Sequence, residues 1–186
     1  MMEVREITGE DIPQIIALYA KHLTSGESIS QAIREAWNKG EYGGYIALSG
    51  GETAGFMTVH EGIAFTYPHP ALEEELAAFV KDRRIGYCDA LLILPDYRNE
   101  GVAHHLVRET KKQLVQNGFD YFLSEIWIYP DGRSPAKEVF ETMGKIVWQR
   151  RIDGFYREFP SYGMSCPFCG ENCVCGAWVD VMELER

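Results

Sequence analysis

Four of the five cysteines lie in one short stretch, "SCPFCGENCVCG", at residues 165–176. Their spacing is Cys166-x-x-Cys169-x-x-x-Cys173-x-Cys175. Four thiolates this close in sequence can surround one metal ion, and tetrahedral coordination by four sulfurs suits Zn²⁺. Redox or disulfide chemistry and a set of free thiols are the alternatives that the spacing leaves open. We therefore predict that these four cysteines are metal ligands in a structural zinc site.

A second stretch with chemical potential is "LLILPDYRNEGVAHHLV", at residues 91–107. An apolar run of strand length ends in a turn, and the turn leads directly into an amphipathic helix. The first turn of a helix presents free N–H groups and the positive end of the dipole, which suits a phosphate or pyrophosphate. Gly101 lets such a group approach the backbone without meeting a Cβ, and Ala103 is nearly as small. This turn is the predicted anion-binding site.

The elements that must position these stretches follow from hydrophobic periodicity. The nearly continuous apolar run at 85–94 and the run at 119–129 predict strands, and the helix between them makes the two strands parallel. Along the whole chain the predicted order is β α α β β α β α β α β β. "SPAKEVFETMG" predicts a compact helix with Ser134 as its N-cap.

This order predicts an α/β (α+β) fold: a central mixed sheet of about seven strands with helices on both faces. We find no linker, so residues 1–186 are predicted to form a single domain. The cysteines fall in a long irregular loop, residues 153–176, between the last two strands. Such a loop is entropically costly to order, and a metal would reduce that cost.

Composition narrows the partners. The chain has 186 residues, of which 46% are hydrophobic and 25% charged, so it can bury a core without disulfides. Its net charge of −10 argues against nucleic acid or an anionic membrane as the main partner and is compatible with an amine. The sequence shows neither a long apolar span nor a signal-peptide pattern, and crowded cysteines without such a signal favour a reducing compartment. We therefore expect a cytoplasmic protein.

The pattern Arg98-x-x-Gly101-x-Ala103, set between a buried strand and a helix, resembles the pyrophosphate loop of the GNAT superfamily of N-acetyltransferases, Gln/Arg-x-x-Gly-x-Gly/Ala. The order of elements from residue 3 to 152 and the last strand, "VDVMELE", are also similar to that family. The extra helix at 69–82 and the cysteine loop depart from it. The resemblance implies a sheet splayed at an acyl-CoA cleft and direct transfer of an acetyl group from acetyl-CoA to an amine.

The resemblance also implies which residues would bind the cofactor. Main-chain groups near Leu92 and Leu94 would pair with the pantetheine amides, as an added strand would. Arg133 and Ser134 fall at and beside a family asparagine position. The pyrophosphate would lie on the turn formed by Arg98, Asn99, Glu100, Gly101, Val102 and Ala103. The acceptor would be a small-molecule or peptide amine that the sequence does not name, and a homodimer is a possible assembly.

The catalytic assignment is less direct. Glu125 resembles the family's strand-borne general base, with Asp89 and Glu61 as rivals. Phe140 stands where many members carry a proton-donating tyrosine, and a phenyl ring has no proton to give. Either Tyr156 protonates the leaving thiolate, or the thiolate leaves unassisted. The loss of that tyrosine keeps open a non-catalytic alternative, in which the fold binds acyl-CoA or senses a metal or redox state.

Overall fold

The computed structural model describes residues 2–24, 26–63, 65 and 68–185. Within these ranges the chain forms seven strands and five α-helices, in the order that the sequence predicts. They are β1 (Met2–Glu6), α1 (Ile12–His22), α2 (Glu27–Lys39), β2 (Tyr42–Ser49), β3 (Glu52–Glu61), α3 (Pro70–Val80), β4 (Ile85–Ile93), α4 (Val102–Gln116), β5 (Tyr121–Ile128), α5 (Lys137–Phe140), β6 (Lys145–Ile152) and β7 (Gly176–Glu183).

The strands form one mixed sheet in the order β1-β2-β3-β4-β5-β7-β6. β4 and β5 are parallel, and the other neighbouring strands are antiparallel. The parallel pair follows from α4, since a helical crossover returns the chain to the same edge of the sheet. The predicted mixed sheet with helices on both faces is therefore confirmed.

The two faces of the sheet bury different helices. On one face, α1, α2, α3 and the cysteine loop cover a core that includes Ile15, Leu76 and Leu123. On the other face, α4 and α5 cover a core that includes Leu106 and Phe122. The apolar stripe of α4 is buried as its spacing predicts, and each buried aliphatic side chain contributes about 1.5–3 kcal/mol of transfer free energy. A cleft between two of the strands connects the two faces.

α5 is shorter than the sequence predicts. It begins at Lys137, and Ser134 is not its N-cap. The Ser134 hydroxyl instead donates to the Trp127 carbonyl, 2.7 Å away, at the end of β5. The side chain that was expected to cap the helix is thus used to close the turn that precedes it.

The loop between β6 and β7 packs onto the first face of the sheet. Phe155, Phe159 and Met164 are buried in that core. The Thr24 hydroxyl donates to the Ser165 carbonyl over 3.0 Å, which ties the loop to the α1–α2 connection. Among the described residues, no helix has both the length and the apolarity needed to cross a bilayer.

Candidate active site

A β-bulge opens the centre of the sheet. Cys88 of β4 opposes Val59 of β3 and Ala90 opposes Thr58, so Asp89 is one extra residue on β4. Such a bulge bends its strand and increases the local twist. The parallel pairing of β4 with β5 ends at Cys88, immediately before the bulge. Beyond that point the two strands separate, as predicted, and a cleft passes between them.

The cleft has a volume of about 1250 Å³ and is lined from both faces of the sheet. The α4 side is lined by the turn before α4 and by residues of α5 and its preceding loop. The opposite side is lined by the α1–α2 connection and by the loop that carries the cysteines. The cleft therefore has walls from both faces of the sheet and passes between β4 and β5.

The turn before α4 is shaped for an anion. Asn99 and Gly101 both have positive φ angles, 65° and 79°, which turn the chain sharply into the helix. Helical hydrogen bonding begins with the amide of His105, which donates to the Gly101 carbonyl at 3.1 Å. The amides of Val102 and Ala103 precede that bond, so they have no acceptor inside the helix and lie at its positive end.

The two charged residues of this turn are placed differently, since Arg98 lines the cleft and Glu100 does not. Arg98, Asn99, Gly101, Val102 and Ala103 all line the cleft. The Arg98 guanidinium places Nε 3.2 Å from the Ile93 carbonyl oxygen, so its charge lies close to the turn. Glu100 is exposed and does not line the cleft. The acidic side chain thus points away from the place where an anion would lie.

The backbone groups that β4 presents to the cleft belong to residues shifted by one position from those that the sequence predicts. The Leu94 amide donates to the Ala54 carbonyl of β3 over 2.9 Å, so it is not available to the cleft. Because backbone groups alternate along a strand, Leu92 also turns its amide and carbonyl toward β3. Leu91 and Ile93 therefore present theirs to the cleft, which agrees with the contact of Arg98 to the Ile93 carbonyl. The backbone assignment to Leu92 and Leu94 is corrected accordingly, although Leu92 still lines the cleft.

Arg133 and Ser134 separate in the structure. Arg133 lies at the mouth of the cleft, where Nε is 2.7 Å from Asp131 Oδ2 and the guanidinium lies 5.9 Å from the centre of the Tyr129 ring. Ser134 is not among the lining residues, because its hydroxyl is bonded to the Trp127 carbonyl. Of the two, only Arg133 is placed to meet a ligand.

Glu125 is the first residue of β5 beyond the last pair with β4. It lines the cleft on the side away from α4 and keeps only limited exposure, through the cleft itself. The Tyr87 hydroxyl donates to Oε2 of Glu125 at 3.1 Å, and Tyr156 is a second hydrogen-bond partner. Desolvation raises the pKa of Glu125 to about 7, although the two tyrosine hydroxyls lower it and the charge of Asp89 adds to the rise. This carboxyl can accept and release a proton near neutral pH.

Tyr156 and Glu125 lie together although they are 31 residues apart in sequence. The Tyr156 ring is packed between Trp127 and Phe159, with both ring centroids 5.0 Å away. Burial raises the pKa of its hydroxyl well above 10, so the hydroxyl keeps its proton at neutral pH. Sequence reasoning missed Tyr87, the other donor to Glu125. Its register opposite Leu123 identifies it only once the β4–β5 pairing is known.

The two rival carboxylates lie in different places. Asp89 lines the cleft on the bulge, where the Tyr42 and Thr58 hydroxyls lie 3.3 and 3.4 Å from its Oδ2. Glu61 is exposed outside the cleft, and its Oε2 is 2.7 Å from Arg84 Nη2 in an ion pair. The structure therefore excludes Glu61 as a candidate base and keeps Asp89 near the reacting centre.

Phe140 is buried where the expected tyrosine would stand. Its ring packs 5.8 Å from that of Phe122 and lines the α4 side of the cleft. Glu125 and Tyr156 lie on the opposite side. The Tyr156 hydroxyl therefore approaches the splay from the opposite face to the one that Phe140 occupies.

The four cysteines of residues 166–175 converge. Their sulfur atoms all lie within 4.8 Å of one another, with Cys175 Sγ 3.9 Å from Cys166 Sγ and 3.6 Å from Cys169 Sγ. A tetrahedron with Zn–S bonds of about 2.3 Å has edges of about 3.8 Å, so the donor set fits Zn²⁺. The Gly170 amide donates to the Cys166 carbonyl at 2.9 Å and closes a tight turn around this centre. Burial raises the pKa of Cys173 to about 12, so this thiol would lose its proton to solvent only when a bound cation stabilises the thiolate.

Comparison with known proteins places this geometry in context. Residues 12–144 match the model of the acetyltransferase (GNAT) family. A search of curated protein sequences finds no match.

Solved structures share the fold over nearly the whole chain. NAA60 of Arabidopsis thaliana in complex with acetyl-CoA superposes with a TM-score of 0.67, at 17% identity over 98% of each chain. The NatC complex bound to Gag peptide and CoA gives 0.66, at 18% identity over 99% of each chain. The ribosomal-protein-S18-alanine N-acetyltransferase of Escherichia coli gives 0.63, at 12% identity over 100% of this chain and 96% of that one. At these identities the similarity establishes the fold, while the family match covers most of the sequence. The chain therefore belongs to the GNAT family of acetyltransferases.

Proposed function

We propose that this protein transfers an acetyl group from acetyl-CoA directly to an amine, with Glu125 as general base and Tyr156 as general acid. The observation that carries the proposal is the pair itself. A desolvated carboxyl with a pKa of about 7 is hydrogen-bonded to a protonated tyrosine at the point where the sheet opens. Groups with such perturbed pKa values in a cleft are typical of catalytic sites.

Acetyl-CoA would enter from the α4 side. Its pyrophosphate would lie on the turn at 98–103, with the amides of Val102 and Ala103 as donors and Arg98 as a nearby positive charge. Its pantetheine would run along β4 and pair with the backbone of Leu91 and Ile93. This path leads the thioester to the splay, where the Leu91 amide would polarise its carbonyl.

The amine would enter from the opposite side as an ammonium ion. Glu125 accepts one proton from it, and the neutral nitrogen then attacks the thioester carbon. Asp89 adds negative charge beside Glu125, which favours the approach of a cation and the basicity of the carboxylate. The reaction requires Glu125 to be ionised, so turnover should rise with pH around 7.

Collapse of the tetrahedral intermediate breaks the C–S bond and releases the CoA thiolate. Tyr156 protonates the sulfur and recovers a proton from Glu125 through their hydrogen bond. A lasting tyrosinate is unfavourable at this site, because burial and the nearby carboxylate raise the pKa of Tyr156. The nitrogen loses two protons in all. One ends on the CoA thiol and the other leaves to solvent.

The non-catalytic alternative is less well supported by the geometry. Above pH 7 the buried Glu125 side chain is ionised, which lowers the stability of the folded protein. Binding of acyl-CoA does not require a carboxylate at this position. The Phe140 substitution removes one tyrosine, yet Tyr156 offers a hydroxyl to Glu125 from the other face. The arrangement is explained by proton transfer and not by binding alone.

We also propose that Cys166, Cys169, Cys173 and Cys175 hold a structural Zn²⁺. The convergence of the sulfur atoms supports this assignment. The metal would order the loop between β6 and β7 and would take no part in the chemistry, because the cluster itself does not line the cleft. Redox chemistry at the same thiols would centre on Cys169, which is partly exposed and whose pKa is lowered by a hydrogen bond from the Val174 backbone, whereas the other three thiols are buried.

The remaining assignments are coarser. The NatC complex binds Gag peptide, and a peptide or small-molecule amine is proposed as the acceptor here. We further propose that residues 1–186 act as one acyltransferase domain. A cytoplasmic location and a homodimer stay predictions.

The test is a calorimetric titration with acetyl-CoA, followed by loss of thioester absorbance with a panel of amines. Micromolar binding and amine-dependent thioester loss are expected. Glu125→Gln should retain binding and lose turnover, whereas the exposed Glu41→Gln should retain both. Failure of the folded, metal-replete protein to bind acetyl-CoA would overturn the proposal, as would full turnover by Glu125→Gln.

A further inference from the structure

Phe168 is an exposed aromatic side chain inside the cleft. It is 48% exposed, and of the large hydrophobic side chains exposed in the described part of the chain, it is the one that lines the cleft. Its ring lies 4.4 Å from that of Tyr129 and 5.4 Å from that of Trp127. An apolar surface left open in a pocket marks a place for an apolar ligand group.

The position of Phe168 is set by the cysteine centre. It stands between Cys166 and Cys169, in the turn closed by the hydrogen bond from the Gly170 amide to the Cys166 carbonyl. The centre is also tied to the rest of the acceptor side, because the carbonyl of Ser165 accepts a hydrogen bond from Thr24. Loss of the centre would therefore release the aromatic ring from the cleft.

The aromatic wall lies at a defined separation from the proposed base. Trp127 follows Glu125 by two residues on the same face of β5, which corresponds to about 6.6 Å along a strand. When the amine nitrogen lies at Glu125, a substituent joined to that nitrogen through two or three atoms would therefore contact Trp127 and Phe168. The Tyr156 ring, whose centroid lies 5.0 Å from that of Trp127, borders the space between the proposed base and this aromatic wall.

We propose that the acceptor is a primary amine joined by a short linker to a flat apolar group, and that the four-cysteine centre holds Phe168 as a wall of that acceptor site. The inference rests on the proposed acetyl transfer and names its substrate class. It assigns the cysteine centre a role in acceptor binding, while acetyl-CoA binds on the other side of the sheet. Acceptor binding then depends on the metal, and acetyl-CoA binding does not.

The experiment compares three probe amines with the zinc-replete protein. 2-Phenylethylamine carries a flat group at the required separation, n-butylamine lacks it, and spermidine carries further charges. Thioester loss gives kcat/KM for each amine, and calorimetry gives the affinities of 2-phenylethylamine and acetyl-CoA without reliance on turnover. The variants are Phe168→Ala, Phe168→Leu, and Val174→Ala as a control for an exposed apolar side chain in the same loop. A metal-free sample is prepared with a chelator.

The expected result is a preference for 2-phenylethylamine over n-butylamine of about tenfold or more, since stacking and burial of one ring supply at least that factor. Phe168→Ala should lower the affinity for 2-phenylethylamine by about fivefold to tenfold, with a smaller loss for Phe168→Leu. Val174→Ala should match the wild type. Metal removal should reproduce the loss of Phe168→Ala and leave acetyl-CoA affinity unchanged.

Several outcomes overturn the inference. Equal use of n-butylamine and 2-phenylethylamine, or a preference for spermidine, refutes the substrate class. Identical behaviour of Phe168→Ala and Val174→Ala refutes the role of the ring. If metal removal abolishes acetyl-CoA binding as well, the centre stabilises the whole fold and does not act on the acceptor side alone. A protein that binds acetyl-CoA but fails to bind or acetylate 2-phenylethylamine also refutes the substrate class. A protein that binds acetyl-CoA and 2-phenylethylamine and consumes no thioester with any amine of the wider panel fails the proposed function itself, and that failure is distinct from the others.

Discussion

Replacing Glu125 with glutamine should separate catalysis from stability. The glutamine keeps the length of the side chain and an oxygen that can accept from Tyr87 and Tyr156, but it cannot take a proton. Turnover should fall by about 10²- to 10⁴-fold, the range for loss of a general base. Affinity for acetyl-CoA should not change, because the turn proposed to bind its pyrophosphate lies on the α4 side of the sheet.

The same substitution should stabilise the protein at alkaline pH. The pKa of Glu125 rises from an ordinary 4.5 to about 7 on folding. At 1.36 kcal/mol for each tenfold change in acidity, that difference of about 2.5 corresponds to about 3 kcal/mol. Because the folded state binds this proton more tightly, the free energy of unfolding falls as pH rises from 4.5 to 7. A neutral glutamine escapes this loss.

Thermal unfolding measured across pH tests the argument. Below pH 4.5 the two proteins should unfold at similar temperatures, since Glu125 is then protonated in both folded and unfolded states. At pH 8 Glu125→Gln should unfold roughly 6–12 °C higher, because a chain of this size shifts by about 2–4 °C per kcal/mol. Glu41→Gln, on the surface, should show no such dependence. An unchanged unfolding temperature for Glu125→Gln at pH 8 would refute the desolvated carboxylate, and unchanged turnover would refute its role as base.

Three further predictions concern other parts of the site. Gly101→Leu should weaken acetyl-CoA binding by tenfold or more. The control is Gly50→Leu, which lies in the β2–β3 turn and also has a positive φ, so its backbone should be equally strained while its acetyl-CoA affinity stays normal. Equal acetyl-CoA binding by the two variants would refute the assignment of the pyrophosphate to this turn. Tyr156→Phe should lower kcat by about 10- to 100-fold and move the acidic limb of the pH profile to higher pH, since a hydrogen bond that lowers the pKa of Glu125 is lost. Tyr162→Phe, which changes an exposed ring, is the control. An acidic limb that does not shift in Tyr156→Phe would argue against contact between Tyr156 and Glu125. Metal analysis should find one zinc per chain, and chelation should make four more thiols reactive toward an alkylating reagent. The metal site would be contradicted if the purified protein contained no zinc and a chelator left its thiol reactivity unchanged.

The turn before α4 and the outline of the sheet could be predicted because their signals are local. The strand, turn and helix around Gly101 are contiguous in sequence, and the glycine is required by a backbone angle within that segment. The parallel relation of β4 and β5 follows from the helix that connects them. In each case the residues that interact lie within a few tens of positions of one another.

The backbone assignment on β4 was wrong because it depends on register. Whether Leu92 or Leu91 presents its amide to the cleft is decided by which β4 residues bond to β3. The bulge at Asp89 fixes that arrangement, and a bulge leaves no local sequence signal strong enough to locate it. Tyr87 was missed for the same reason, because its contact with Glu125 joins the neighbouring strands β4 and β5 and depends on their register.

The sequence by itself determined the chemistry that is available: a glycine turn before a helix, a carboxylate on a buried strand, a tyrosine in a late loop and four clustered thiols. Tertiary structure alone decided which of these groups meet. It desolvated Glu125 beside Tyr156, withdrew Glu61 to the surface, and placed Phe168 in the cleft next to the thiol centre. Residue types and local conformation are written in short segments, whereas burial, pKa and contact depend on groups brought together by folding.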